Sequence, residues 1–260
     1  MQPARWHYSR ASIRFSIATY NLWGTERWPA RAPALAAFCE RYRPDVFCVQ
    51  ELTAATQSFL DAQLPDHTRV TDAYEGWTVE GNLWWRDDLF EALASGAEDV
   101  GIVAYPIRRL FWARLRPRGH DRSLVVSTVH LTDAARDELR TGVAPRVREA
   151  EAVVAALRGL LAEDEPALVT GDLNDALLPI ATLYGAGYVS CFGALGQFPP
   201  TTFPTSLSTF GVSDFSTAFV YDWIVANRHA RALAASSPHV YVDDLAPSDH
   251  WPVHAVYELP

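Results

Sequence analysis

The stretch ALVTGDLND, residues 167–175, is an apolar run that stops on Gly171, Asp172 and Asn174. Ala167 to Thr170 predicts a short buried strand. Asp172 and Asn174 lie two apart on an extended segment and therefore point the same way. The same arrangement recurs along the chain. Residues 13–19 carry Ile13, Phe15 and Ile17 at period two, and the strand they predict ends at Tyr20, just before Asn21. DVFCVQ (45–50) predicts a buried strand followed by Glu51, and LVVSTV (124–129) predicts one followed by His130. Asp222 opens YDWIVAN (221–227), and Asp249 and His250 precede the last strand in PSDHWPVHAVYEL. Apolar strands thus border on a carboxylate, an amide or an imidazole, and strand ends of one sheet can converge on one mouth.

Helical patterns lie between these strands. Leu35, Phe38, Cys39 and Tyr42 are helically spaced within 30–42, and Thr53 predicts an N-cap for a helix ending near Leu64. Val147, Ala150, Val153, Val154, Leu157 and Leu161 share one helical face of 146–162. The tail predicts strands near 221–226, 239–242 and 252–258 without helices between them. Strand and helix interleave, so the fold class is α/β with mixed sheets. With no linker and no repeat, the reading is one domain over residues 1–260, with its core at 13–258. Residues 196–220 form a long loop whose only charge is Asp214; long loops in compact domains are often functional.

Composition excludes several chemistries. All 22 basic residues are arginine. Without lysine there is no P-loop lysine for phosphates and no amine for Schiff-base catalysis. The net charge of −9 disfavours nonspecific coating of nucleic acid, which rests on many cationic phosphate contacts. Nine tryptophans, ten tyrosines and twelve phenylalanines supply a large core. The three cysteines, Cys39, Cys48 and Cys191, form neither a disulfide framework nor a zinc pattern. No apolar stretch approaches the ~20 residues that span a bilayer, and the N-terminus has no secretory pattern. The expectation is a soluble cytoplasmic protein with no membrane partner and no obligate protein partner.

The polar residues at the strand ends have a shared use. Glu51 and Asp249 are hard oxygen donors suited to Mg2+ or Mn2+. Asn21 can orient a metal-bound phosphate. Histidines 130 and 250 can donate to a phosphate oxygen or take a proton near neutral pH. Asp172 and Asn174 can hold a water in line with phosphorus. Together they describe metal-assisted cleavage of a phosphate ester. Each alone has a plainer reading: Asn21 as a turn residue, GDLN as a turn and cap, Ser-Asp-His as an N-cap. Their order and spacing carry the argument.

In that order, TYNLWG (19–24), VQE (49–51), STVHL (127–131), GDLND (171–175), YDWIVAN (221–227) and SDHWPV (248–253) resemble the endonuclease/exonuclease/phosphatase superfamily. The likeness runs from residue 13 to 258 and is nearest to bacterial members of the 5′-tyrosyl-DNA phosphodiesterase-like branch. It implies a four-layer α/β sandwich: two packed mixed β-sheets flanked by helices. It implies a divalent metal, usually Mg2+ with Mn2+ as a substitute, held chiefly by Glu51 and completed or supported by Asn21 and Asp249. It makes His250 the base or water-orienting group, its ring held by Asp222 or Asp249. By the same resemblance His130 donates to the phosphoryl oxygen, and Asp172 and Asn174 position the water. The base role stays open between His250 and Asp172. The implied activity is Mg2+-dependent hydrolysis of a phosphodiester or phosphomonoester by in-line attack of water. The substrate class includes nucleic acid ends and nucleotides. A DNA or RNA nuclease, and a non-catalytic binding protein on this fold, are the alternatives.

Residues 74–122 are the most individual part of the sequence. Glu80 and Asn82 are expected at the cleft rim, with Asn82 binding substrate. Arg108, Arg109, Arg114, Arg116, Arg118 and Arg122 cluster with Tyr105, Phe111 and Trp112. They read either as a phosphate-and-base platform or as an edge strand with its arginines in solvent. Period two favours the strand, with Arg108, Arg114 and Arg116 on one face and Phe111, Ala113 and Leu115 on the other. Arg148 resembles a family arginine near the cleft, or else pairs with Glu149 or Glu151. In HWPVH (250–254), Pro252 forbids a helical two-histidine metal motif, so His254 reads as structural.

Overall fold

The computed structural model describes residues 12–102, 108–133, 144–205 and 218–259. Tyr105 and the middle of the predicted long loop, residues 206–217, lie outside them. The first sheet contains β1 (Ile13–Asn21), β2 (Val46–Gln50), β3 (His67–Arg69), β4 (Gly81–Arg86), β11 (Arg231–Ser236) and β12 (Val253–Leu259). Its spatial order is β11-β12-β1-β2-β4-β3. The second contains β5 (Phe90–Asp99), β6 (Arg109–Pro117), β7 (Leu124–His130), β8 (Ala167–Asp172), β9 (Val189–Ser190) and β10 (Asp222–Ala226), in the order β5-β6-β7-β8-β10-β9. Only β1–β2 and β7–β8 are parallel; the remaining pairs are antiparallel.

Three apolar clusters define four layers. Phe15, Ile17, Val46 and Cys48 of the first sheet meet Phe111, Ala113, Val126 and Leu168 of the second. Leu35 and Phe38 of α1 (Ala32–Tyr42) and Leu60 of α2 (Ala54–Gln63) cover Ala18, Tyr20, Phe47 and Val49 on the outer face of the first sheet. Val153 and Leu157 of α4 (Pro145–Leu160) cover Leu110, Val125 and Val169 on the second, joined by Leu183 of α5 (Leu178–Gly185). Two shorter helices, α3 (Gly76–Val79) and α6 (Cys191–Ala194), complete the described elements. This is the expected four-layer sandwich of two mixed sheets between helices.

Local signals set several boundaries. The Thr53 hydroxyl accepts from Thr56 N at 3.1 Å, and Thr56 Oγ1 accepts from Thr53 N at 2.9 Å, so α2 starts on a reciprocal cap. Pro145 opens α4, where its missing N–H removes no helical bond. Two expectations are corrected. The strand expected at 239–242 is absent: Val242 and Leu245 form only an isolated bridge, around Asp243 and Asp244 at positive φ. The strand is instead the alanine-rich Arg231–Ser236, drawn out by pairing with β12; tertiary pairing overrides local preference. The arginine-rich strand β6 is not an edge strand either, because it lies between β5 and β7.

Along the facing sides of the sheets, each strand changes character toward one end. β1 runs Phe15, Ile17, Thr19, Asn21; β7 runs Val126, Thr128, His130; β8 runs Leu168, Thr170, Asp172. Gln50 Nε2 ties the layers together at this depth, donating to Thr19 Oγ1 at 2.9 Å and Thr128 Oγ1 at 2.6 Å. At the same end, Gly171 permits β8 to lie close against β7. Its φ is +136°, and a Cβ there would stand 1.9 Å from the Val129 carbonyl oxygen. Gly171→Ala is therefore expected to destabilise the fold by about 3 kcal/mol. A urea-unfolding midpoint equal to wild type would contradict that close approach.

Candidate active site

Strand polarity explains why distant residues share one mouth. β1 and β2 run parallel, so Asn21 and Glu51 emerge together; β7 and β8 do the same for His130 and Asp172. β4, β10 and β12 run the other way, so their beginnings lie at that edge. Gln50 faces Gly81, Asp172 faces Asp222, and Asp249–His250 lead into β12. The result is a cleft of about 490 Å³ whose lining includes Glu51, His130, Asp172, Asn174, Asp249 and His250.

Asn21 and Asp222 stand behind this wall, each 1 % exposed. Asn21 Nδ2 donates to Glu51 Oε1 at 3.0 Å and, across the two sheets, to Asp172 Oδ2 at 2.9 Å. Its Oδ1 accepts from Trp23 N at 2.9 Å. Both amide hydrogens are thus engaged with carboxylates, and Asn21 positions Glu51 and Asp172 rather than offering a free donor. Asp222 Oδ2 bonds His250 Nδ1 at 2.8 Å, so Asp222 and not Asp249 holds the ring. Backbone N–H groups of Tyr221 and Asp222 donate to Thr202 Oγ1, fixing the start of β10. Phe203 packs against the imidazole at 4.8 Å between centroids. The other ring nitrogen, Nε2, lies 3.7 Å from Asp172 Oδ2.

Glu51 and Asn174 both adopt left-handed backbone, with φ of 51° and 49°. Non-glycine residues adopt this conformation uncommonly, and it is enriched at functional turns. Asn174 N donates to Asp172 Oδ1 at 2.8 Å. Its Nδ2 donates to the Leu131 carbonyl at 2.9 Å and contacts His130 Nε2 at 3.1 Å. With that amide orientation His130 accepts. Donation from His130 to a phosphoryl oxygen requires the proton on Nε2 and a turn of the Asn174 amide.

The cleft is electrostatically strained. Burial pushes the Asp172 carboxyl up to about 7, against the opposing pull of His250 and with added repulsion from Asp222. Burial likewise raises Asp249 to about 6, with Glu51 adding to the shift. For His250, burial would lower the pKa, but Asp222, Asp172 and Asp249 outweigh it and raise it to about 10. Burial, then Arg108 and His250, hold His130 well below the usual imidazole range. Negative charge concentrated this way suits a cation. Asp172, Asp222 and His250 offer ligand atoms within 4.8 Å of one another, although the Asp222–His250 hydrogen bond already engages one of those nitrogens. Glu51 is the more open donor: its side chain is 36 % exposed, and its Oε2 accepts no hydrogen bond from the described residues.

Other expected site residues lie elsewhere. Asn82 is fully buried: its Nδ2 donates to the Val70 and Trp77 carbonyls, and its Oδ1 accepts from Leu83 N. It braces the chain beneath the rim and does not line the cleft, unlike its neighbour Glu80. Arg148 does not line the cleft either. One helical half-turn away, Arg146 is buried and bonds Asp175 of the GDLND loop at 2.8 Å. Helix phase, invisible in a list of arginines, made that choice. Arg31 is a further structural residue near the cleft. Fully buried, it donates to the carbonyls of Glu26, Trp23, Gly24 and Pro247, tying the loop after Asn21 to the segment before Asp249. A lone arginine before a proline-led helix gives no such signal in sequence.

Residues 18–250 match the model of the Endonuclease/Exonuclease/phosphatase family. No curated protein matches the chain by sequence. Among solved structures, D. rerio TDP2 complexed with single strand DNA product has a TM-score of 0.78 and 19% identity, covering 94% of this chain and 98% of that one. An endonuclease/exonuclease/phosphatase protein from Bacteroides vulgatus has a TM-score of 0.79 and 17% identity, with coverages of 95% and 100%. The mannosyl-6-phosphatase of Bacteroides thetaiotaomicron has a TM-score of 0.75 and 16% identity, with coverages of 94% and 99%. These likenesses are of fold.

Proposed function

We propose that this chain, which belongs to the endonuclease/exonuclease/phosphatase family, is a Mg2+-dependent phosphoesterase acting as a single domain over residues 1–260. It hydrolyses a phosphodiester or phosphomonoester by in-line attack of water. One observation carries the reading: six carboxylates and amides and two histidines, from six separate strand ends, converge in and behind one cleft, with a buried His250–Asp222 pair at 2.8 Å. A non-catalytic binding site has no need of that pair.

Glu51 and Asp249 would hold the metal, with Mn2+ as a substitute for Mg2+. When bound, the ion supplies positive charge for the phosphoryl oxygens. Asn21 keeps Glu51 and Asp172 in fixed relation through its two amide hydrogens. Asp172 Oδ2 and His250 Nε2, 3.7 Å apart, flank the place where a water can be held and relieved of a proton. Asp222 orients the imidazole and balances its charge. His130 and Asn174 face the phosphoryl oxygens from β7 and the β8 turn, and stabilise charge there after the amide turn described above. Phe203 closes one side of the cleft.

The nuclease version of this activity draws support from D. rerio TDP2, solved with a single strand DNA product. The monoester version draws it from the mannosyl-6-phosphatase. A cytoplasmic setting belongs to the same reading and is supported by three buried free cysteines. The test is turnover of bis-p-nitrophenyl phosphate with Mg2+, expected to vanish in EDTA and return with Mg2+ or Mn2+. Failure of metal-dependent turnover across single-stranded DNA, RNA, 5′-phosphotyrosyl DNA and small phosphomonoesters would sink the enzyme reading.

A further inference from the structure

The arginine cluster singled out in the sequence divides in the structure. Arg114 pairs with Glu165, Arg116 with Glu91, and Arg118 bonds the Asp87 carbonyl. These are fastenings of the outer face of the second sheet and its edge. Arg108 is different. It is 9 % exposed and lines the cleft. Among the described residues its side chain forms neither a hydrogen bond nor an ion pair, and its Nε is a buried nitrogen with no partner. Burial lowers its pKa, while Glu149, Glu80, Asp172 and Glu51 attract it from a distance. Glu149 is already engaged by Thr132 N and Oγ1 at 2.8 and 2.7 Å. A buried guanidinium without a paired anion is costly in a folded protein, unless an anion arrives.

Its place in the sheet says which anion. β10, β8, β7 and β6 are successive neighbours. Their ends present Asp222, Asp172, His130 and then Arg109 with Arg108, in that order. Neighbouring strands are spaced by ~4.8 Å, so β6 lies roughly 10 Å from the strand of Asp172. That is beyond the place the phosphoesterase reading gives the reacting phosphate, between Asp172, Asn174 and His130, on the side away from Asp222. The Arg108 backbone is pinned there: its carbonyl accepts from Val100 N and Gly101 N at 3.1 and 2.9 Å. Next to it, Arg109 also has an unpartnered buried Nε and lies 4.9 Å over the Tyr74 ring.

We propose that Arg108 is the anion subsite for a second phosphate of the substrate, one that is not cleaved, beyond His130 in the same cleft. The preferred substrate is then a phosphate ester carrying two phosphates, as a nucleotide or a strand end does, rather than an ester with one. The inference rests on the phosphoesterase reading for its choice of substrate, but its binding part stands without catalysis.

Two measurements test it. In EDTA, calorimetry compares thymidine 3′,5′-bisphosphate with thymidine 5′-phosphate. Wild type is expected to bind the bisphosphate at least about tenfold more tightly. Arg108→Gln loses that difference, and Arg118→Gln, which removes one charge at the surface, keeps it. With metal, the p-nitrophenyl ester of thymidine 5′-phosphate is compared with the same ester bearing a 3′-phosphate, and with one whose 3′-phosphate is a diester to another nucleoside. Arg108→Gln should reduce kcat/KM on the two-phosphate esters at least about tenfold more than on the single-phosphate ester, chiefly through KM. Preference for the diester assigns the second phosphate to a strand, preference for the terminal phosphate to a free nucleotide; either upholds the subsite. Because Arg108 is unpaired, Arg108→Gln should melt no lower than wild type in EDTA. Equal binding of mono- and bisphosphate by wild type, or an undiminished preference in Arg108→Gln, overturns the proposal. If no ester is hydrolysed, the phosphoesterase reading fails while the binding comparison still decides on Arg108.

Discussion

Asp172→Asn is expected to lower turnover of a metal-activated phosphodiester by roughly 10³-fold, the scale of a lost proton acceptor at the reacting centre. The carboxylate lies where three constraints meet. Asn21 Nδ2 and Asn174 N bond its two oxygens, and His250 Nε2 faces it at 3.7 Å. Asparagine keeps the shape but replaces one acceptor with a donor. It can satisfy only one of the two amide donors that aim at the aspartate, and it cannot take a proton from water. The fold should survive, because the substitution also removes a charge that burial disfavours. Circular dichroism and a melting temperature within a few degrees of wild type would establish that. A folded Asp172→Asn variant with wild-type kcat would remove this residue from the chemistry and leave the proton to His250 alone.

Glu51→Gln is the second large effect. Loss of an outer partner of a metal ligand typically costs 10–100-fold in affinity. Loss of the ligand itself is expected to raise the Mg2+ concentration for half-maximal activity by at least about 100-fold. At millimolar Mg2+ the variant should be nearly inactive, and high Mg2+ should restore part of the rate. The residue suits the role by position. It follows a fully buried strand, it turns through left-handed backbone, and Asn21 fixes only one of its oxygens. Glutamine retains size and the Asn21 contact through its carbonyl oxygen, so structural disturbance is small. An unchanged Mg2+ titration would transfer the ion to the Asp172, Asp222 and His250 group.

Much of the candidate site was legible in sequence because its residues are fixed by local rules. A strand buried on both faces reads as an apolar run, and the polar residue that ends it is conspicuous, as Asn21, Glu51, His130 and Asp172 are. Asp222 and His250 were legible in the same manner, yet sequence left two aspartates as holders of the His250 ring. Only the antiparallel register of β10 against β8, which sets Asp222 opposite Asp172, resolves it. Residues whose roles depend on helix phase or on packing were not legible. Asn82 looks like a rim residue in sequence but turns inward to three backbone groups. Arg146, not Arg148, faces the GDLND loop.

The strands near 231–242 mark the same boundary. HVYV has the composition of a strand and RALAAS that of a helix, yet the second is paired and the first is not. Strand formation at a sheet edge depends on the neighbour's free backbone groups, and no local window contains that neighbour.

By itself, then, the sequence determined the alternation of strands and helices, the absence of lysine chemistry and the set of groups that border the strands. These follow from side-chain hydrophobicity and spacing, which act within a few residues. The tertiary structure alone decided which of 22 arginines meet the cleft: among the described residues, Arg108 and Arg109 line it. Arg108, Arg114 and Arg116 share one strand face by periodicity, but two of them find carboxylates and the third finds none. A charge is neutralised by whatever the fold brings within a few ångströms, and that distance is set by the packing of two sheets, not by position along the chain.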